Sequence, residues 1–86
     1  MSRTFRIKII TPDETVFDAD IVSLVAPGAQ GSLGVLADHA ALVTPLASGV
    51  VEVISADRLK RQFGLEKGFL EVRDNEVNIL AEKVRL

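Results

Sequence analysis

From Arg3 to Thr11 the chain reads RTFRIKIIT, in which Phe5, Ile7 and Ile9 alternate with Arg6 and Lys8. A period of two sends successive side chains to opposite faces, so this stretch is predicted as a strand with one buried and one wet face. Pro12 ends it, because proline has no N–H to give to a ladder. A short piece, Thr15 to Phe17, leads through Asp18-Ala19-Asp20 into IVSLVA. There Val22, Leu24 and Ala26 share a face, while Ile21 and Val25 make the other face apolar as well. Such a strand is predicted to be central or covered.

The second half repeats the pattern in plainer form. GVVEVIS reads as a strand and Ser55-Ala56-Asp57 as a turn. LKRQFGLE alternates Leu59, Arg61, Phe63 and Leu65 with Lys60, Gln62, Gly64 and Glu66. Lys67-Gly68 is predicted to turn the chain into FLEV, and Arg73-Asp74-Asn75-Glu76 to turn it again into VNILAE. Asp and Asn tolerate the left-handed backbone that hairpin turns need. No stretch has the spacing of a long helix, and breakers recur about every eight to twelve residues, the all-β rhythm. About eight to ten short strands, mostly joined as hairpins, are best closed as two facing antiparallel sheets or a flattened barrel, which hides the sheet edges.

Composition narrows what such a domain can do. Eighty-six residues make one domain, spanning 1–86, and 48% hydrophobic content is enough for a core with apolar surface left for a partner. No apolar run approaches the ~20 residues that span a bilayer, and MSRTFRIKII lacks a secretory h-region. Without cysteine, disulfides and Cys-based zinc sites are excluded. A net charge of −2 speaks against nucleic acid, and Arg58-Leu59-Lys60-Arg61 reads as a solvated strand edge, with only Phe63 nearby for stacking.

Three features invite a chemical reading. Gly28, Gly31 and Gly34 could grip a phosphate, but their GxxGxxG spacing lacks the Lys of a P-loop and is followed by strand-like Val35-Leu36. A bulged or sharply bent segment fits better. His39 is the sole histidine and has no cysteine near it, so neither a nucleophile–base pair nor a zinc site can be assembled. The carboxylates Asp13, Glu14, Asp18 and Asp20, and the later Asp74-Asn75-Glu76, suit turns and solubility and have no EF-hand spacing. Catalytic, metal and cofactor sites are therefore all assigned as none, and the working part is expected to be a surface.

Taken in order, ITPDETVF, PGAQGSLGVLADHAALVTPLASGVVEV and KGFLEVRDNEVNILAE carry a resemblance along nearly the whole chain. The marks are Thr11-Pro12, Phe17, the glycine-rich Pro27 to Leu36, then His39, Ala40, Leu42, Thr44 and Leu46. Gly49-Val50, the GFLEV of residues 68 to 72, and Val77, Leu80 and Ala81 complete the set. The chain resembles the N-terminal β-sandwich domain of the ATP synthase epsilon subunit, called delta in mitochondria. The resemblance implies a flattened ten-stranded sandwich of two antiparallel sheets in the central rotor. It implies a non-catalytic subunit that joins the gamma subunit to the c-ring and so couples proton translocation to ATP synthesis.

Carried over by position, Gly28, Gln30, Gly31, Ser32 and Gly34 would approach the c-ring, while His39, Leu42 and Thr44 would lie towards gamma. The resemblance also implies a peripheral place on the cytoplasmic face of the bacterial membrane, without direct membrane insertion. A homodimer of the isolated domain, through an uncovered gamma-facing patch, stays open, as does a generic β-sandwich interaction module. Two departures alter the local chemistry. Gln30 and Ser32 stand where the family often has acidic residues, which predicts neutral, less salt-sensitive contacts. Ala37-Asp38 replaces a frequent Pro-Gly before the histidine, and Asp38 could supply the missing negative charge. The family's C-terminal helical hairpin is not among these residues; a naturally short form without ATP binding is the expectation.

Overall fold

The computed structural model describes residues 3–85. Seven strands run in chain order: β1 Phe5–Ile10, β2 Thr15–Gly28, β3 Gly31–Val35, β4 Leu42–Leu46, β5 Gly49–Ser55, β6 Lys60–Arg73 and β7 Glu76–Arg85. They form one sheet in the order β1-β7-β6-β4-β2-β3, with β5 bridging β2 and β6, and β1 paired to β2 as well. These extra pairings close the sheet on itself around a single core.

The architecture is all-β, but its strands number seven among the described residues where ten were expected. The difference lies in β2 and β6, each fourteen residues long. β2 pairs first with β1, then with β5, then with β3. β6 likewise passes from β5 to β4 while keeping β7 on its other side. Apolar bursts that read as separate strands are thus halves of one bent strand. The pairing is also mixed, because β1 and β7 run parallel. No hairpin joins those two, so nothing forces them to be antiparallel.

Each bend has a local cause. In β2 the register passes from Ile21↔Ser55 to Ser23↔Ile54, a bulge that sets two β2 residues against one of β5. Side-chain parity flips there, so Ile21, Leu24 and Ala26 all face the core. Val22 does not share the face of Leu24, contrary to simple alternation. In β6 the inward set changes from Phe63 and Leu65 to Leu70 and Val72, and in β7 from Val84 to Ala81, Ile79 and Val77. Between them lies Gly68, where an added Cβ would fall on the Leu80 carbonyl oxygen and 3.1 Å from the Ala81 Cα. The Lys67-Gly68 signal therefore marks a close backbone approach inside β6 and not a turn.

The predicted Arg73–Glu76 turn is present, with Asp74 and Asn75 at φ of 51° and 61°, the left-handed pair of a two-residue hairpin. Ile7, Ile9, Ile21, Leu70 and Ile79 at the centre are fully shielded. Burying each such side chain contributes about 1.5–3 kcal/mol. Phe17 packs its ring 4.9 Å from Phe63 near the core edge, and the Arg61 guanidinium lies 5.7 Å above Phe17. That contact accounts for part of the Arg58–Arg61 cluster without any ligand.

Candidate functional site

Two exposed regions stand out, and they adjoin. The first is the tip of the β2–β3 hairpin, where Gly28 pairs with Gly31 around Ala29 and Gln30. Gly31 has φ of 130°, and a Cβ on Gly28 would sit 2.5 Å from the Gly31 carbonyl oxygen. Both positions need glycine. Gly34 does not, since a Cβ there meets nothing. Gln30, Gly31 and Ser32 are exposed and carry no charge. The five residues expected to approach a c-ring thus lie on one short hairpin.

The second region is a row across the outer face of four strands. Pro45 of β4 stands beside Phe69 of β6, Phe69 beside Leu80 of β7, and Leu80 beside Ile10 of β1. Phe69 and Leu80 are 56% and 50% exposed, and Val43, two residues along β4, is 68% exposed. Ile10, Pro45, Phe69 and Leu80 border an open groove of about 770 Å³ whose wall includes Pro12, Ala47 and Ala29 of the hairpin tip. Two backbone hydrogen bonds tie tip to row: Ala29 N–H donates to the Pro45 carbonyl (3.2 Å), and Ala47 N–H to that of Pro27 (2.8 Å).

Sequence reading did not single out this row. Its signal is nevertheless present in adjacent apolar pairs, Ile9-Ile10, Phe69-Leu70 and Ile79-Leu80. Successive strand residues point opposite ways, so one member of each pair must face out.

His39, Leu42 and Thr44 fall differently. Leu42 and Thr44 share the parity of buried Leu46 and are half-buried, with Leu42 packed against the core. Their neighbours Val43 and Pro45 take the outward positions. His39 precedes β4 in an irregular segment and donates from Nδ1 to the Ala40 carbonyl at 2.7 Å. Asp38 has φ of 62°, the left-handed backbone for which a glycine would be the easier fit. Its carboxylate pairs with Arg3 at 2.5 Å, and its N–H donates to Asn75 Oδ1 at 2.7 Å.

At the opposite end of the same face the surface is ionic. Arg6 binds Asp18 at 2.6 Å and Asp20 at 3.3 Å. The hydrogen bond from Arg6 holds the Asp18 carboxyl below its ordinary value, and the same bonds to Asp18 and Asp20 raise the Arg6 guanidinium. Among the described residues no group of three or more potential metal ligands converges, and no helix is long and apolar enough to cross a membrane.

The described residues thus form a closed all-β domain with a neutral hairpin tip beside an exposed apolar row. The family model described as the ATP synthase Delta/Epsilon chain beta-sandwich domain matches residues 4–86, and the chain belongs to that family. It is 43% identical to the ATP synthase epsilon chain of Moorella thermoacetica over 92% of its own length and 59% of that relative's. The epsilon chain of Pelotomaculum thermopropionicum is also 43% identical, with 92% and 58% covered. The chain therefore spans about three-fifths of the relatives it matches. Among solved structures it is similar to a chain of the Euglena gracilis mitochondrial ATP synthase OSCP/F1/c-ring assembly, at TM-score 0.89 and 26% identity over 94% of this chain and 52% of that one. A chain of the Tetrahymena thermophila central stalk/c-ring assembly shares the fold at TM-score 0.79 and 17% identity, with 96% and 66% covered.

Proposed function

We propose that this chain is a non-catalytic coupling block of the central stalk of an F-type ATP synthase, joining the gamma subunit to the c-ring. In this reading the neutral hairpin tip, Gly28 to Gly34, meets the polar loops of the c-ring through hydrogen bonds. The apolar row of Pro45, Phe69, Leu80 and Ile10, with the neighbouring His39 segment, meets gamma. Leu42 and Thr44 contribute from behind the contact, holding β4 in place. The observation that carries the reading is contiguity: tip and row share one groove wall and are bonded backbone to backbone. Torque reaching one surface is transmitted to the other through a closed sheet, which deforms little because its interior is close-packed.

The domain would sit peripherally on the cytoplasmic face of the membrane, held by its partners. It does no bond chemistry; coupling of proton translocation to ATP synthesis would come from shape and contact. Reconstitution tests this. Added to a rotary complex depleted of its own epsilon subunit, the chain is expected to restore attachment of gamma to the c-ring and proton-driven ATP synthesis. Failure to bind either partner would end the assignment.

A further inference from the structure

The segment from Leu36 to Ala41 carries His39 and has no strand structure of its own. Ala37 packs it against the core, and two polar contacts from elsewhere in the chain go to Asp38. One is the Arg3–Asp38 ion pair, whose side chains are 74% and 48% exposed. Pairs that exposed are screened by solvent and hold little. The other is Asn75, which is only half-exposed and binds in three directions at once. Its Oδ1 accepts the Asp38 N–H at 2.7 Å, its Nδ2 donates to the Thr4 carbonyl at 3.0 Å, and its own carbonyl accepts the Arg6 N–H at 3.2 Å. Asn75 occupies the β6–β7 turn with φ of 61°, so its side chain leaves from an already fixed backbone. Asp38, also left-handed, aims its N–H at that side chain.

We propose that Asn75 is a positioning residue for the His39 segment. One amide pins the segment to the start of β1 and the β6–β7 turn, so that His39 and the entry to β4 are held in one arrangement before any partner arrives. Asn suits the task for two reasons: it tolerates the left-handed turn, and it offers a donor and an acceptor on one rigid group. Its contribution to gamma binding rests on the function proposed above, because Asn75 then acts by preorganising the contact and not by touching gamma.

The test uses two variants of the chain. Asn75→Gly keeps the turn, since glycine adopts positive φ freely, but removes both side-chain bonds. Asn75→Asp keeps an acceptor for the Asp38 N–H but replaces the donor to the Thr4 carbonyl with a carboxylate oxygen. In the free chain, hydrogen exchange of the Asp38 amide is expected to speed up roughly 3- to 10-fold in Asn75→Gly, the scale of one lost hydrogen bond, and by less in Asn75→Asp, which keeps the acceptor. Affinity for the gamma subunit of the same organism should fall by a similar factor in Asn75→Gly and by less in Asn75→Asp. An unchanged Asp38 amide in Asn75→Gly overturns the clamp. Faster exchange with undiminished gamma affinity overturns its role in binding. Wild-type chain that ignores gamma sinks the rotor reading instead, and the exchange result still decides the clamp.

Discussion

One outer face of this small domain is split between two kinds of surface. Towards the hairpin tip, Pro45, Phe69, Leu80 and Ile10 form an apolar row with no charge among them. Two residues along the same strands the row becomes Val43, Glu71, Asn78 and Lys8, and two further it becomes Arg73, Glu76 and Arg6. β1, β7 and β6 and their pairing are shared by all three rows; the outward residue type changes. The ionic end satisfies itself, with Arg6 bridging Asp18 and Asp20 in water. Among the described residues nothing covers the apolar end, where Phe69 and Leu80 stay exposed. A lone exposed apolar residue needs no explanation, but a contiguous row beside a groove is the mark of a contact surface.

The sharpest way to break this comparison uses two adjacent residues. Leu70 is fully buried and Phe69 is exposed on the other side of the same strand. Leu70→Ala should cost about 2–5 kcal/mol by the loss of packed volume, read as a fall in the denaturant midpoint. Phe69→Ser should leave stability within about 0.5 kcal/mol yet weaken gamma attachment roughly tenfold or more in a binding titration, as for a central aromatic anchor. If Phe69→Ser unfolds the domain, or binds gamma normally, the apolar row is not the contact.

Gly68 lies between the row and the core, and Gly68→Ala should cost about 1–3 kcal/mol because the clash is with backbone that cannot step aside. Thermal melts would show it. At the polar end, Asp38→Gly should raise stability by up to about 1 kcal/mol through relief of the left-handed backbone, less whatever the exposed Arg3 pair supplied. The smallest effect is electrostatic. Asp18 titrates below its ordinary 3.8 in the folded chain, so its contribution is present above that value and is lost as pH falls through the lower folded one. Asp18→Asn should therefore flatten the acid limb of the stability profile slightly and leave neutral pH nearly unchanged. Gamma binding should not notice it.

Much of this was readable from residue order. The alternation in Phe5-Arg6-Ile7-Lys8-Ile9 fixed β1 and its buried face, and Asp74-Asn75 gave the hairpin turn. The glycines at 28 and 31 were legible as shapers of a bent segment. Three things were not. The Val22 bulge shifts parity through cross-strand register, which no local pattern encodes. Lys67-Gly68 mimicked a turn because close backbone approach and turning both call for glycine. The merging of short bursts into the long β2 and β6 depends on which neighbours each half meets. At the site, the proportion of apolar residues hinted at a contact surface. Leu42 and Thr44 nevertheless turn inward, and the outward partners in the apolar pairs could be assigned only once the register was known.

The most direct measurement is a side-chain oxidation footprint of the chain, free and assembled with gamma and the c-ring. The account predicts strong protection of Phe69, Leu80, Val43 and Pro45 on assembly, while Arg6, Arg73 and Glu76 at the ionic end keep their free reactivity. Protection of the ionic end with the apolar row still open to solvent would contradict it.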